Sequence, residues 1–385
     1  MTSPWSAWLA SQASAREAAG LTRTLRPRAS GDTVIDLAGN DYLGFAQHPS
    51  VRRAAADAAV EWGGGAGASR LVTGTLALHA ELEASLARLM RQPAALVFST
   101  GYHANLGVVT ALADRDTRII SDAHVHASLI DAARLSRAAI EVVPHNDVAA
   151  VRRELAEGAS SLVPLASRPP ARTLVLVESI YSVLGDAAPL TELAAACEAY
   201  GALLVVDEAH GLGVHGSGLV AQLGLAGLEH VVVTATLSKA LGSQGGAVLG
   251  SAAVIEHLVN RARPFIFDTG LAPASAAAAL AATHLITAHP ELPGLIRRRV
   301  DELAALLGVP APDGAVLSVP MRSPQAAVQA AAACADQGVR VGCFRPPSVP
   351  DGISRLRVTC SAGVRDEDWA RATQILLEVT KDAAS

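Results

Sequence analysis

The sequence is poor in charge, in aromatic side chains and in cysteine, and each shortage excludes a class of protein. Charged residues make up 17% and aromatic residues 3% of the 385 positions, whereas hydrophobic residues make up 50%. Intrinsic disorder needs low hydrophobicity together with high charge, so we expect a packed globular chain. The four cysteines form no C-x-x-C pair, which favours reduced thiols in the cytoplasm over a disulfide framework.

Long apolar runs and a strong charge of one sign are also missing. Runs such as Leu174–Val177 and Val231–Val233 are far shorter than the roughly 20 residues that span a bilayer. Met1–Gly20 contains no apolar h-region, so no secretory signal is expected. The formal net charge of −5 argues against nucleic acid or an anionic membrane as the main partner. We therefore expect a cytoplasmic protein with neither of these partners, and we predict no metal site.

Lysine is the scarcest residue with useful chemistry. Lys239 and Lys381 are the two lysines among 31 basic residues, and the others are all arginine. Arginine stays protonated and cannot form an imine, whereas lysine can lose its proton and form one. Lys239 stands in the middle of the chain, so it is either a functional amine or an accidental surface lysine, and its neighbours must decide between the two.

The middle of the chain alternates short apolar runs with helical stretches. Unalternated Val/Leu runs separated by helices are typical of buried parallel strands with helices on both faces. The helical patterns cover Tyr102–Leu112, Ala127–Ser136 and Leu190–Tyr200. The predicted strands are Ala95–Ser99, Arg118–Ser121, Ile140–Val143, Thr173–Glu178, Leu203–Asp207, His230–Ala235 and Gly246–Leu249. We predict an α/β fold with a mostly parallel central sheet.

The predicted domains follow from this alternation. Residues 46–273 contain the βα units and form the predicted large domain. Residues 274–385 begin with an Ala/Leu-rich helical region and form a smaller α+β domain, to which the segment 1–45 contributes. Ligands in such sheets bind beyond the carboxyl ends of the strands, where polar residues follow several of the predicted strands.

Two familiar sequence motifs are present without the neighbouring residues that their usual functions require. Asp207-Glu208-Ala209-His210 spells a helicase motif, but that interpretation requires a lysine-containing phosphate loop, and neither lysine follows a glycine. Gly211-x-Gly213-x-x-Gly216 matches the dinucleotide fingerprint, yet the charged DEAH segment separates it from the preceding strand. A dehydrogenase therefore remains only as the alternative enzyme class.

A third constellation fits pyridoxal 5′-phosphate (PLP). This cofactor needs a buried carboxylate for its pyridine nitrogen, an amine for an imine and a cup for its phosphate. Asp207 ends one predicted strand, and Lys239 follows the next. Ser99-Thr100-Gly101-Tyr102 enters a helix, whose free N–H groups and dipole favour an anion. His126, at the start of another helix, is placed to stack on the ring. Each feature alone has an ordinary structural explanation; their order and their common sheet edge favour a PLP site.

Several motifs extend this pattern over almost the whole chain. The sequence resembles the α-oxoamine synthases, a branch of the fold-type I, aspartate-aminotransferase-like PLP-dependent transferases. The resemblance rests on Asn40–Gly44, Ser69–Leu71, Ser99–Tyr102, His126–Ser128, Glu178–Ser182 with Gly185-Asp186, Asp207–Gly211, Thr236–Lys239, Arg345–Pro350 and Arg355–Arg357.

The resemblance implies specific roles around the cofactor. Lys239 would carry PLP as a Schiff base, Asp207 would pair with the pyridine nitrogen, and His126 would stack on the ring and face the substrate. These three are the predicted catalytic residues. The other predicted cofactor contacts are Ser182 and His210 at the O3′ side of the ring, and Gly101, Tyr102 and Thr236 towards the phosphate.

For the substrates, the resemblance implies arginines. Arg357 would bind the amino-acid carboxylate, a bidentate task for a guanidinium, and Arg345 and Ser348 would face the substrate. Arg23 is the predicted partner of a distal carboxylate on the acyl substrate, with Arg26 and Arg28 as alternatives in a neighbouring register.

The Arg345–Pro350 run is most similar to the biotin-pathway branch of the family. That branch implies L-alanine and pimeloyl-CoA, or a pimeloyl carrier protein, as substrates. It also implies a homodimer with shared active sites, in which Thr269 reaches the partner's phosphate site. Two alternatives stay open: a sister synthase that uses another amino acid or acyl-CoA, and a PLP-fold protein that acts as a non-catalytic regulator or scaffold.

Overall fold

The computed structural model describes residues 3–19, 21–23, 25, 27–160, 172–346, 349 and 351–384. The chain forms two compact units, Met1–Val34 and Ile35–Ser385. The first unit contains helix α1 (Pro4–Ala18), which begins after Ser3, whose hydroxyl accepts a hydrogen bond from the Ser6 N–H at 3.1 Å. Its described side chains up to residue 33 are exposed, so α1 has no core of its own.

The second unit contains all the strands found in the described residues. They are β1 (Ile35–Leu37), β2 (Ala94–Phe98), β3 (Thr117–Asp122), β4 (Ala139–Val143), β5 (Arg172–Glu178), β6 (Leu203–Asp207), β7 (Val231–Thr236), β8 (Gly246–Gly250), β9 (Val316–Pro320), β10 (Val339–Phe344) and β11 (Arg355–Thr359).

Helices separate most of these strands. They are α2 (Pro49–Trp62), α3 (Ala77–Leu89), α4 (Gly101–Leu112), α5 (Ala127–Ser136), α6 (Val148–Ser160), α7 (Leu190–Tyr200), α8 (Leu219–Gln222), α9 (Ala252–Arg261), α10 (Arg263–Ile266), α11 (Pro273–Ala288), α12 (Leu292–Leu307), α13 (Pro324–Asp336) and α14 (Asp366–Ala384). A short 3₁₀ turn covers Phe45–Gln47.

Seven strands form the central sheet in the order β2-β8-β7-β6-β5-β3-β4. The pairs β3–β4, β3–β5, β5–β6 and β6–β7 are parallel, whereas β8 runs antiparallel to both of its neighbours. The predicted α/β fold with a mostly parallel sheet is therefore confirmed, and each predicted strand is present. The parallel strands β3, β5, β6 and β7 end at one edge, which places their following residues together.

Helices cover both faces of this sheet, as the unalternated apolar runs predicted. Strand side chains such as Leu176 and Val205 pack on one face with residues of α4, α5 and α9. Their neighbours Val177 and Val206 point to the opposite face and join the larger core, which includes α2, α3, α7 and α11. Because both faces are buried, the sheet is rigid and its carboxyl edge is a fixed platform.

A second sheet has the order β1-β10-β11-β9. Its first strand comes from the start of the second unit and pairs in parallel with β10, while β11 runs antiparallel to β10 and β9. This sheet thus joins an N-terminal strand to C-terminal strands. The boundaries near residues 45 and 273 stay predictions. None of the helices in the described part of the chain is long and apolar enough to cross a membrane.

Candidate active site

Three neighbouring strands of the central sheet end beside one cavity. In the parallel register Glu178, the last residue of β5, lies opposite Asp207, the last residue of β6, which in turn lies opposite Thr234 of β7. The cavity has a volume of about 260 Å³. Its lining comprises Thr100, Gly101, Tyr102, Asn105, His126, Ser128, Glu178, Asp207, Ala209, His210, Ala235, Thr236, Ser238 and Lys239.

Lys239 enters the cavity from the turn that follows β7. The turn is tight: the Gly242 N–H donates to the Lys239 carbonyl at 2.9 Å, and Gly242 has φ +59°. A Cβ at Gly242 would lie 2.2 Å from the Ala46 nitrogen, so only glycine fits there. Burial lowers the pKa of the Lys239 ammonium, although the charge of Asp207 opposes this effect. The amine is thus biased towards its neutral, nucleophilic form.

Asp207 is a buried carboxylate held by neutral donors. One of its oxygens accepts the Ala209 N–H at 2.9 Å, and the other accepts the Asn105 side-chain N–H at 2.7 Å. No cationic side chain of the described residues forms an ion pair with it. Its negative charge is therefore available to a cation placed in the cavity.

Glu178 lies beside Asp207 but behaves differently. Burial, and then the charge of Asp207, raise the pKa of Glu178 well above its ordinary value. Two adjacent buried carboxylates cannot both ionise cheaply, so Glu178 is the protonated member of this pair. One of its oxygens accepts the Ser182 N–H at 3.1 Å. The cavity floor thus carries one negative charge.

The N-terminus of α4 provides an anion site at the other end of the cavity. Thr100 caps this helix by accepting the His103 N–H at 3.0 Å, while the N–H groups of Gly101 and Tyr102, in the first turn, have no intrahelical acceptor. A Cβ at Gly101 would lie 3.0 Å from the Cβ of Thr236, tighter than ordinary packing allows. The small residue therefore keeps the helix end open beside Thr236.

Two histidines complete the cavity wall. His126 caps α5 and presents an exposed imidazole to the cavity. His210 is buried, and its Nδ1 lies 2.6 Å from the Tyr42 hydroxyl. Burial, together with the nearby charges of Lys239 and Arg357, lowers the pKa of His210 well below its ordinary value. His210 is therefore a neutral imidazole, able to share a hydrogen bond with a polar group.

Arg357 lies on β11, in the second sheet, and is buried. Its Nε donates to the Ser182 carbonyl at 3.0 Å, and one Nη donates to the Asn40 side-chain oxygen at 3.0 Å. Its positive charge also contributes to lowering the pKa of Lys239, after the larger effect of burial. Ser182, a predicted cofactor contact, is thus placed here as a support of Arg357, outside the cavity lining.

The other residues predicted to contact the substrates or a partner subunit belong to other segments of the chain. Arg345 follows β10 and is half-buried, whereas Ser348 and Arg26 lie outside the described residues. Arg23 and Arg28 belong to the first unit. Thr269 is exposed and forms an antiparallel bridge with Ser69.

Sequence reasoning missed the residues that orient the predicted ones. Asn105 lies one helical turn after Gly101, so it could have been found by its spacing of four on the same helix face. Tyr42 and Asn40 stand in a motif that supported the resemblance but had no assigned role. Glu178 and Ser128 likewise belonged to quoted motifs.

The cavity fits PLP in three respects. It has an amine of lowered pKa at Lys239, a buried carboxylate without a cationic partner at Asp207, and free backbone donors at Gly101 and Tyr102. These are the groups that an imine, a protonated pyridine nitrogen and a phosphate require. The fold and this donor set define a PLP-dependent enzyme of fold type I.

Comparisons with known proteins agree with this class. The chain belongs to the aminotransferase class I and II family, whose profile matches residues 32–376. It is 51% identical over 381 residues to the 8-amino-7-oxononanoate synthase of Mycolicibacterium gilvum, covering 98% of each chain. It is 52% identical to the enzyme of that name from Mycolicibacterium smegmatis, covering 98% of this chain and 97% of the relative.

A similar solved structure supports the prediction that the cofactor is PLP. Serine palmitoyltransferase from S. paucimobilis, with a bound PLP-myriocin aldimine, has a TM-score of 0.87 and 28% identity, covering 100% of both chains. The predicted cofactor, PLP, is confirmed by the family match and by such neighbours.

Proposed function

We propose that the protein is an 8-amino-7-oxononanoate synthase of biotin biosynthesis. It condenses L-alanine with the thioester of pimeloyl-CoA or a pimeloyl carrier protein, and it releases CO2 and the thiol. The observation that carries the proposal is the cavity, where a buried lysine of lowered pKa, an anionic carboxylate and the N-terminus of α4 converge. The names of relatives at 51% and 52% identity select the reaction within the family.

Each residue of the cavity has a task in this reaction. PLP, when bound, supplies an electron sink for negative charge that develops at the α-carbon of an amino acid. Lys239 holds the cofactor and, once free, takes the α-proton as general base, since its lowered pKa keeps a fraction of the amine neutral. Asp207 keeps the pyridine nitrogen protonated. His210 and Ser182 hold the O3′ side of the ring, while Gly101, Tyr102 and Thr236 contact the phosphate.

Arg357 is proposed to orient the amino acid. Its guanidinium is fixed by the Ser182 carbonyl and the Asn40 side chain, and the N–H groups that these two leave open can bind a carboxylate. His126 is proposed to stack on the ring and face the substrate. Arg345 and Ser348 are proposed to face the acyl substrate, and Arg23, or Arg26 or Arg28 in its place, to bind the distal carboxylate.

The protein is further proposed to be a soluble, cytoplasmic homodimer with shared active sites, in which Thr269 reaches the partner's phosphate site. An exposed apolar patch supports the dimer: Leu71 is 53%, Val72 74% and Phe267 67% exposed, in the segments that the Ser69–Thr269 bridge joins. Patches of this kind mark protein interfaces. Light scattering of the purified protein should give twice the mass of one chain, and a monomer would contradict this proposal.

The test of function uses the purified holoenzyme with L-alanine, glycine and L-serine in turn, followed by pimeloyl-CoA. We expect alanine to change the visible absorbance of the cofactor and to support thiol release from pimeloyl-CoA. A response to glycine or serine alone would make the protein a sister synthase. The Arg357→Ala variant should raise the KM for alanine about 30-fold to 150-fold, since a charged hydrogen bond contributes roughly 2–3 kcal/mol.

A further inference from the structure

A chain of hydrogen bonds runs along the cavity wall from β7 to His126. The Thr234 hydroxyl donates to Oδ1 of Asn105 at 2.7 Å. The Asn105 amide nitrogen is 2.7 Å from Oδ2 of Asp207 and 2.8 Å from the Ser128 hydroxyl. The Ser128 hydroxyl is 2.7 Å from Nδ1 of His126. Thr234, Asn105 and Ser128 are all buried, so their polar groups are satisfied by protein partners.

The chemistry of the members fixes the direction of each bond. An ionised Asp207 has no proton to give, so the amide nitrogen of Asn105 must face it. The second hydrogen of that nitrogen goes to the Ser128 oxygen. Ser128 must then donate its own hydrogen to Nδ1 of His126, because no other acceptor for it is found among the described residues. The backbone N–H of Ser128 also points at this Nδ1, at 3.3 Å.

Two donors directed at one imidazole nitrogen require that nitrogen to be unprotonated. We propose that Asn105 and Ser128 are positioning residues that hold His126 as a neutral imidazole with its proton on Nε2, and that tie it to Asp207. The proton of His126 therefore faces away from the relay, on the nitrogen that Ser128 does not contact. Asn105 is the branch point, since a single amide orients both the carboxylate and, through Ser128, the imidazole.

The charges around His126 come from several elements. Asp207, Lys239 and Asp131 act electrostatically on the imidazole. His210, whose pKa is lowered well below its ordinary value, also lines the cavity. Desolvation lowers the pKa of His126, while the charge of Asp207 opposes this effect. A cationic imidazole would repel the protonated ring that Asp207 requires, so a fixed neutral tautomer suits a stacking residue. This role rests on the proposed function; the tautomer itself does not.

The test is NMR of the holoenzyme labelled with ¹⁵N in histidine, with His126→Asn to assign the signal. We expect the Nε2–H pattern for His126 from about pH 6 to about pH 9. Ser128→Ala should give a mixture of tautomers and raise the pKa of His126 by about one unit, because a donor to the neutral form is lost. Ser128→Thr, which keeps the hydroxyl, should restore the wild-type pattern.

Asn105→Ala provides an independent test, because it leaves Ser128 in place without its donor. The freed hydroxyl can then accept from His126, so we again expect mixed tautomers, together with a lower kcat at similar KM for alanine. A wild-type Nδ1–H or cationic imidazole at neutral pH would overturn the proposal. So would wild-type tautomer and pKa in both alanine variants. The NMR readout needs no substrate, so failure of the alanine reaction would leave this result intact.

Discussion

Two aspartates end strands of the same sheet and have opposite surroundings. Asp207 ends β6 and is held by neutral N–H donors. Asp122 ends β3 and is paired with His145, whose Nδ1 lies 3.0 Å from Oδ1 of Asp122 and whose Nε2 lies 2.7 Å from Oδ2 of Asp186. The negative charge of Asp207 is therefore unpaired and faces the cavity, whereas the negative charge of Asp122 is paired with the protonated imidazole of His145.

The pKa values follow this difference. Burial disfavours the charged form of His145, but the hydrogen bonds that its ring N–H groups donate to Asp122 and Asp186 outweigh burial and raise the pKa of His145 to about 9. At Lys239 burial prevails instead, and it lowers the pKa of the ammonium despite the charge of Asp207. The comparison shows that an aspartate at a strand end can serve a reactive site when its carboxylate charge is unpaired. When the charge is paired with a cationic side chain, the aspartate has a structural role.

The largest effect is expected when the reactive amine is removed. Lys239→Ala should lower turnover by at least about 10³-fold, because both imine formation and general-base catalysis are lost. The protein should still bind PLP, with a changed visible spectrum. Lys381→Ala, which removes the exposed lysine at the C-terminal helix, is the matched control and should behave like wild type. Turnover by Lys239→Ala near the wild-type rate would contradict the assignment of this amine.

Removing the unpaired charge should have the next largest effect. Asp207→Asn keeps the shape but cannot stabilise a protonated pyridine nitrogen, so kcat should fall by about 10²-fold to 10³-fold. Asp122→Asn is the matched change at the paired aspartate and should lower thermal stability with less than about a tenfold loss of kcat. An equal loss of kcat in the two variants would contradict the conclusion that only the unpaired aspartate serves catalysis.

The ion pairs of His145 with Asp122 and Asp186 should make the stability of the protein depend on pH. The folded pKa of His145, about 9, exceeds its ordinary value of 6.5, so its contribution is complete below pH 6.5 and is lost as the pH rises through 9. We expect about 1–2 kcal/mol after solvent screening. Urea titrations of wild type and His145→Gln should differ most at low pH and converge at high pH. A constant difference would show that the charge of His145 is not responsible.

The smallest effect is expected at the protonated carboxyl. Glu178→Gln replaces a neutral acid by a neutral amide of the same shape, so kcat should change by less than about tenfold. The measurement is steady-state kinetics beside Asp207→Asn. A loss as large as that of Asp207→Asn would mean that Glu178 carries a charge needed for catalysis.

Local sequence patterns were sufficient for much of the fold. The unalternated runs at Thr173–Glu178 and Leu203–Asp207 predicted β5 and β6 to within one residue, because strands buried on both faces must be apolar throughout. The helix predicted over Tyr102–Leu112 begins one residue earlier, at Gly101. The sheet edge followed from parallel pairing, and it brought Asp207 and Lys239 together as expected.

The orientation of side chains could not be predicted in the same way. The backbone N–H and carbonyl of Ser182 bond to Glu178 and Arg357, which its motif did not indicate, and its predicted contact with the cofactor stays a prediction. The Asn105 amide contacts Asp207, which is 102 positions away, and no local pattern encodes such a bond. The contacts of Arg357 likewise join β11 to a loop after β5.

The sequence by itself determined the chemical inventory and its order along the chain: one lysine in an arginine-rich sequence, an aspartate at a strand end, and a small-residue helix entrance. These are local properties, set by residue type and hydrophobic period. Only the tertiary structure decided which charge stays unpaired. That outcome depends on burial and on neighbours from distant segments of the chain. Desolvation and hydrogen bonding can shift the pKa of a side chain by several units, and residue type alone does not indicate this shift.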